Sequence, residues 1–127
     1  MNKKRNDELM QKAENALRNE FVGILNRNTE TIKDSYNGQT ASLGVTIAMS
    51  GLRPALAIYQ KKTEECDKLQ ILNAIAIMMG YNQKDAGLEL FRKILKCDIS
   101  KINDYKKDII DCCIALKQVI RTYKLVK

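Results

Sequence analysis

The sequence predicts an all-α fold, a compact bundle of five or six helices closed by a long C-terminal helix. Three observations carry this expectation. Apolar residues recur at intervals of three and four along most of the chain. No run of alternating strand residues interrupts them. The 127 residues, 45% of them hydrophobic, suffice for one domain over 1–127. A chain of this length buries roughly two-thirds of its unfolded surface and builds a core without disulfides or metal as staples.

The elements follow in order. Leu9, Ala13, Leu17, Phe21 and Ile24 share a helical face, with Asn6 suited to a cap and Asp7 and Glu8 to the positive end of the dipole. A first helix is therefore expected over about residues 6 to 26. Asn28 or Thr29 can cap a second, whose stripe is Ile32, Tyr36, Leu43 and Ile47, while Gly38 and Gly44 weaken its interior and allow a break near Gly38. Gly51 offers the left-handed conformation that ends helices, and Pro54 suits the first turn of a short third helix near Arg53 to Lys62.

Thr63, followed by Glu64 and Glu65, marks a fourth start. Leu69, Leu72, Ala76 and Met79 then run along one side and Ile71, Ile75 and Met78 along another, an all-round apolarity that predicts a central helix closed by Gly80. After the polar turn Asn82 to Lys84, a fifth helix brings Leu88, Phe91 and Leu95 together, and Cys97 and Asp98 end it. The last segment is the most regular. Ile102, Tyr105, Ile109, Cys112, Leu116, Val119, Tyr123 and Val126 form an unbroken heptad seam, which predicts one long helix to the C-terminus, capped by Ser100 or Asp98.

Composition narrows the function. Histidine is absent, which removes the commonest general base, proton shuttle and zinc ligand. Cys66, Cys97, Cys112 and Cys113 lack the Cys-x-x-Cys spacing of a structural zinc site. Cys112 and Cys113 project about 100° apart on a helix, which suits burial of reduced thiols better than disulfide chemistry. Residues 1 to 9 are charged, with no apolar leader core. The nearly uncharged stretches Ser35 to Tyr59 and Leu69 to Tyr81 are interrupted or too short for the roughly 20 apolar residues of a membrane span. A cytoplasmic protein without membrane contact is expected.

The formal charge is +7, and it is unevenly spread. Residues 101–127 hold seven basic and three acidic side chains, whereas residues 65–100 balance at five each. On a helical wheel Lys106, Lys117 and Lys124 fall on one line with Arg121 close by, opposite Asp104, Asp108 and Asp111. Such a stripe can follow a polyanion, because each neutralised phosphate releases a counterion. Lysines also gather at helix C-termini because the dipole favours them and their stems cover apolar flanks. Lys61 and Lys62, near Arg53 in an otherwise uncharged region, admit the same two explanations. Tyr59, Tyr81, Tyr105 and Tyr123 can stack on bases, although the seam positions of Tyr105 and Tyr123 favour core packing. There is no phosphate-binding glycine loop, RNP signature or finger spacing, and no carboxylate pair placed for acid catalysis. No catalytic centre, cofactor or metal site is expected.

The run Ser50-Gly51-Leu52-Arg53-Pro54-Ala55-Leu56-Ala57-Ile58-Tyr59-Gln60-Lys61-Lys62, preceded by Tyr36 and the apolar Leu43 to Met49, resembles the small helical subunit of the type III-B CRISPR effector, the Cmr complex. That family shows a tyrosine in its second helix, a polar residue with Gly-Leu, a short apolar helix ending in lysine, and a long last helix opening on tyrosine and basic residues, as Tyr105-Lys106-Lys107 does here. The family's proline before Gly-Leu and its tryptophan near Leu116 to Val119 have no counterpart, which keeps the small subunit of the type III-A complex as an alternative.

The resemblance implies a non-catalytic subunit that stacks with copies of itself in a minor filament. Its neighbours would be the backbone subunits and the large subunit, and its surface would line the channel of the guide RNA and target RNA. Base pairing by the guide would supply the sequence reading. The residues expected to touch nucleic acid are Arg53, Lys61, Lys62, Lys106, Lys117, Arg121 and Lys124. The competing readings are a helical adaptor that engages only protein, and a small redox enzyme using Cys112-Cys113.

Overall fold

A computed structural model describes residues 1–61 and 67–127. Six helices dominate it: α1 (Lys3–Leu17), α2 (Asp34–Ser50), α3 (Leu52–Ile58), α4 (Lys68–Met78), α5 (Ala86–Lys96) and α6 (Ile99–Ile120). A small sheet joins them, formed by β1 (Leu25–Asn26), β2 (Thr31–Lys33) and β3 (Lys124–Val126) in the order β1-β2-β3. The first pair is an antiparallel hairpin and the second is parallel, with Ile32 opposite Leu125.

The first helix starts earlier and stops sooner than its apolar spacing predicts. Asn2, not Asn6, is the cap, its side chain accepting the Arg5 N–H at 2.8 Å. Beyond Leu17 the Asn19 side chain takes the Phe21 N–H at 2.8 Å, a local turn that competes with helix. Val22, Ile24 and Leu25 still enter the core, but from a turn and a strand. The hairpin then occupies the region expected to open the second helix. That helix begins at Asp34 and passes through Gly38 and Gly44 without a break. Three hydroxyls, on Thr40, Ser42 and Thr46, donate to the carbonyls four residues earlier, while Tyr36, Leu43 and Ile47 pack inward as their spacing predicts.

Gly51, at φ +89°, turns α2 into α3, and Gly80, at φ +107°, follows the end of α4, both in their expected places. The fourth helix is capped by Asp67, whose carboxylate accepts the Leu69 N–H at 3.2 Å. The start expected at Thr63 lies outside the described residues, as do Lys62 and Cys66. Ile71, Leu72, Ala74, Ile75 and Ala76 are fully buried, which makes α4 the centre of the core. It packs against α1, α5 and α6, and α6 packs in turn against α1 and α2.

Two expectations for the C-terminal half are corrected. The buried face of α5 is Gly87, Leu90 and Ile94, with Leu88 and Phe91 half-buried and Leu95 exposed by 48%. The last helix ends at Ile120, and Lys124 to Val126 pair with β2. No glycine or proline announces this exit. Its cause is tertiary: the Tyr123 hydroxyl donates to Glu14 on α1, and the following residues take a place in the sheet. Arg18 secures the same corner. Its guanidinium meets Glu14 at 3.0 Å and Glu30 at 2.6 Å and lies over the Tyr123 ring at 5.8 Å. Glu30 holds φ +55°, a left-handed backbone that this hairpin turn imposes.

The tightest approach is between α4 and α5. The Gly87 N–H donates to the buried Asn73 Oδ1 at 2.8 Å, and a Cβ at Gly87 would stand 2.9 Å from the Asn73 backbone nitrogen. Backbone cannot yield as a side-chain tip can. Gly87→Ala is expected to lower stability by about 1–3 kcal/mol, read as a reduced denaturant midpoint, with helicity by circular dichroism retained. An unchanged midpoint would show that α5 moves away freely.

Candidate nucleic-acid interface

Where α6 faces the core it buries Ile109, Cys112, Leu116, Val119 and Ile120. Lys106 and Lys117 lie to one side of that seam, half-buried along their stems, and Arg121 follows in the exposed cap turn. Because the helix ends at Ile120, Lys124 is not a further step on the same wheel. It stands exposed in β3, opposite Thr31. The predicted stripe is thus two lysines on the helix, an arginine at its end and a lysine on the strand beyond.

Electrostatics separates the two flanks. Asp111, although buried, is met by Arg5 Nε at 3.0 Å, and Asp108 by Arg5 Nη2 at 3.0 Å. This pairing raises the Arg5 pKa, through the Asp111 hydrogen bond above all. The α6 carboxylates nearest the core are therefore engaged from α1. Among the described residues no carboxylate comes within ion-pair distance of Lys106, Lys117, Arg121 or Lys124. Arg121 and Lys124 are exposed and Lys106 and Lys117 half-buried.

The other expected residues lie elsewhere. Arg53, half-buried on α3, donates through Nε to the Ile94 carbonyl at 3.1 Å and through Nη2 to the Cys97 carbonyl at 2.8 Å. It caps the last turn of α5, the placement that the negative end of a helix favours. Lys61 is exposed after α3, and Lys62 is outside the described residues. Of the tyrosines, Tyr59 is buried with its hydroxyl donating to the Gln39 carbonyl at 2.6 Å, and Tyr123 is held by Glu14.

Tyr81 and Tyr105 meet at an open cleft of about 700 Å³, together with Arg92, Lys93 and Lys96 of α5. The charge balance of residues 65–100 conceals this cluster. A local signal was nonetheless present, since positions 92, 93 and 96 share one side of a helix. Only the fold adds the aromatic wall.

Among the described residues no group of three or more acidic or cysteine side chains is placed to hold a metal ion. No helix among them is long and apolar enough to cross a membrane. Burial pushes the Cys112 thiol up to about 12 and the Cys113 thiol higher still, so both are protonated at neutral pH. A thiol that does not ionise is a poor nucleophile.

A family model described as a CRISPR-associated protein, Cas_Cmr5, matches residues 1–123. The crystal structure of a CRISPR-associated Cmr5 family protein from Thermus thermophilus superposes with a TM-score of 0.65 at 16% sequence identity, covering 93% of this chain and 94% of that one. That likeness shows the same fold. No curated protein matches the sequence.

Alkylation of the native protein at pH 8 with peptide mapping is expected to leave Cys112 and Cys113 unmodified, while half-buried Cys97 reacts. Modification of the adjacent pair without unfolding would restore the redox reading.

Proposed function

The chain belongs to the Cmr5 family of CRISPR-associated proteins, and from that premise we propose that it is the non-catalytic small subunit of a type III-B RNA-guided effector, the Cmr complex. In this reading it stacks with copies of itself in the minor filament, beside the backbone and large subunits, and presents positive potential to the guide and target RNA. The observation that carries the RNA contact is the set Lys106, Lys117, Arg121 and Lys124, without carboxylate partners among the described residues, while Arg5 engages Asp108 and Asp111 on the far flank.

Lysine ammoniums on a rigid helix suit this task. They neutralise phosphates without reading bases, and each contact contributes by counterion release. Arg53 has the different duty of fixing α3 to α5, and exposed Lys61 supplements the positive surface. Protein neighbours have a surface of their own on α2, where Asp34 is the sole charge and Val45 and Met49 are exposed by 59% and 82%. Binding confined to such a face is the adaptor alternative.

Replacing Lys117, Arg121 and Lys124 together with Ala is expected to weaken single-stranded RNA binding. The slope of log K against log salt should become shallower by about 0.7 for each phosphate that is no longer neutralised. Helicity should persist, because these side chains make no contact that the core needs. Filter-binding or anisotropy titrations over a salt series measure this. Unchanged affinity and slope would overturn the proposed interface and leave the adaptor reading.

A further inference from the structure

We propose that the cleft between α5 and the start of α6 is a nucleoside-phosphate site, in which Arg92, Lys93 and Lys96 hold the phosphate and the Tyr81 and Tyr105 rings receive the base. Its lining includes none of the α6 ridge residues and, although Lys106 is next to Tyr105 in the chain, it is separate from the C-terminal part of that ridge, Lys117 to Lys124. Tyr105 lies twelve residues before Lys117, about 18 Å along the helix axis, and the site does not depend on membership of an effector complex.

Among the described residues the cations in this cleft have no carboxylate or carbonyl partner. Lysines in the last turn of a helix ordinarily serve its free carbonyls. Here Arg53 arrives from α3 and takes the Ile94 and Cys97 carbonyls. Among the described residues neither lysine makes a hydrogen bond or ion pair, nor does Arg92, although Glu89 also lines the cleft. Among the described residues, the one directed contact of the three is Lys93 Nζ over the Tyr81 ring at 5.4 Å. A ring that accepts a cation on its face accepts a flat base on the same face. An arriving phosphate draws the ammonium off and leaves the ring open.

The rest of the lining fits the same ligand. Burial, and then neighbouring Tyr81, raises the Tyr105 pKa, so its ring stays neutral and adds no negative charge to an anion site. Gln83 and Glu89 in the lining offer acceptors for an exocyclic amine or a sugar hydroxyl. The volume lies within the roughly 300–1,000 Å³ of small-ligand sites. An acidic peptide would satisfy the cations but leave two half-buried aromatic rings without a purpose.

The test is a chemical-shift titration of the full chain with adenosine monophosphate, inorganic phosphate, a glutamate-rich peptide and a ten-residue oligouridylate at fixed ionic strength. The monophosphate is expected to shift amides around Gln83, Lys93, Lys96 and Tyr105 and to bind more tightly than phosphate or the peptide. Arg92→Gln with Lys96→Gln alters only exposed groups and should weaken it roughly tenfold. Tyr105→Leu keeps apolar bulk and should weaken it comparably while sparing phosphate binding. The Lys117, Arg121 and Lys124 variant should bind the monophosphate as wild type does, so that failure of the ridge and failure of the cleft are told apart. Tighter binding of the oligomer assigns the ligand to a strand, and equal binding assigns it to a free nucleotide. Shifts outside the cleft, equal affinity for phosphate or the peptide, or wild-type binding by the Arg92 and Lys96 variant would overturn the proposal.

Discussion

The close approach of α5 to α4, permitted by a residue with no side chain at position 87, governs how the rest of the bundle is disposed. Helices normally pack 8–10 Å apart because side chains separate them. At Gly87 the backbone of one helix meets Asn73 of the other through a hydrogen bond, and α5 is brought in until its own amide is satisfied. The buried Asn73 is thereby paired, as a polar group at the centre of a core must be. The same approach sets the end of α5 within reach of Arg53 and turns its basic side toward Tyr81 and Tyr105.

Three arginines tie separate elements together. Arg5 joins α1 to α6, Arg18 joins α1 to the hairpin, and Arg53 joins α3 to α5. Each uses its planar fork on carboxylates or carbonyls from another element, which a lysine would do less specifically. Lys106, Lys117, Arg121 and Lys124 have no carboxylate partner among the described residues.

Most helices were legible because their apolar spacing and their stop signals agree. The all-round apolarity of Ile71 to Met78 is a helix at the centre, and Gly51 and Gly80 stand where turns occur. The sheet was not legible, because Leu25–Asn26 and Thr31–Lys33 are too short to show alternation and Lys124–Val126 continues a heptad pattern that a distant partner overrides. The shift of the α5 face from Leu95 to Ile94 is likewise tertiary, decided by the contact at Gly87. For the candidate interface, Lys106 and Lys117 could be placed from the wheel alone. The cleft could not, since its cations come from α5 and its rings from outside that helix, and the duty of Arg53 depends on carbonyls that only the folded chain brings to it.

The parallel pairing of β2 with β3 brings together segments near opposite ends of the chain. Such closure carries an entropic cost until the intervening helices have assembled, so these three-residue strands are expected to form late and fray early. The C-terminal tail is in effect a clasp fastened once the body has taken shape. Tyr123 and Arg18 provide its catch.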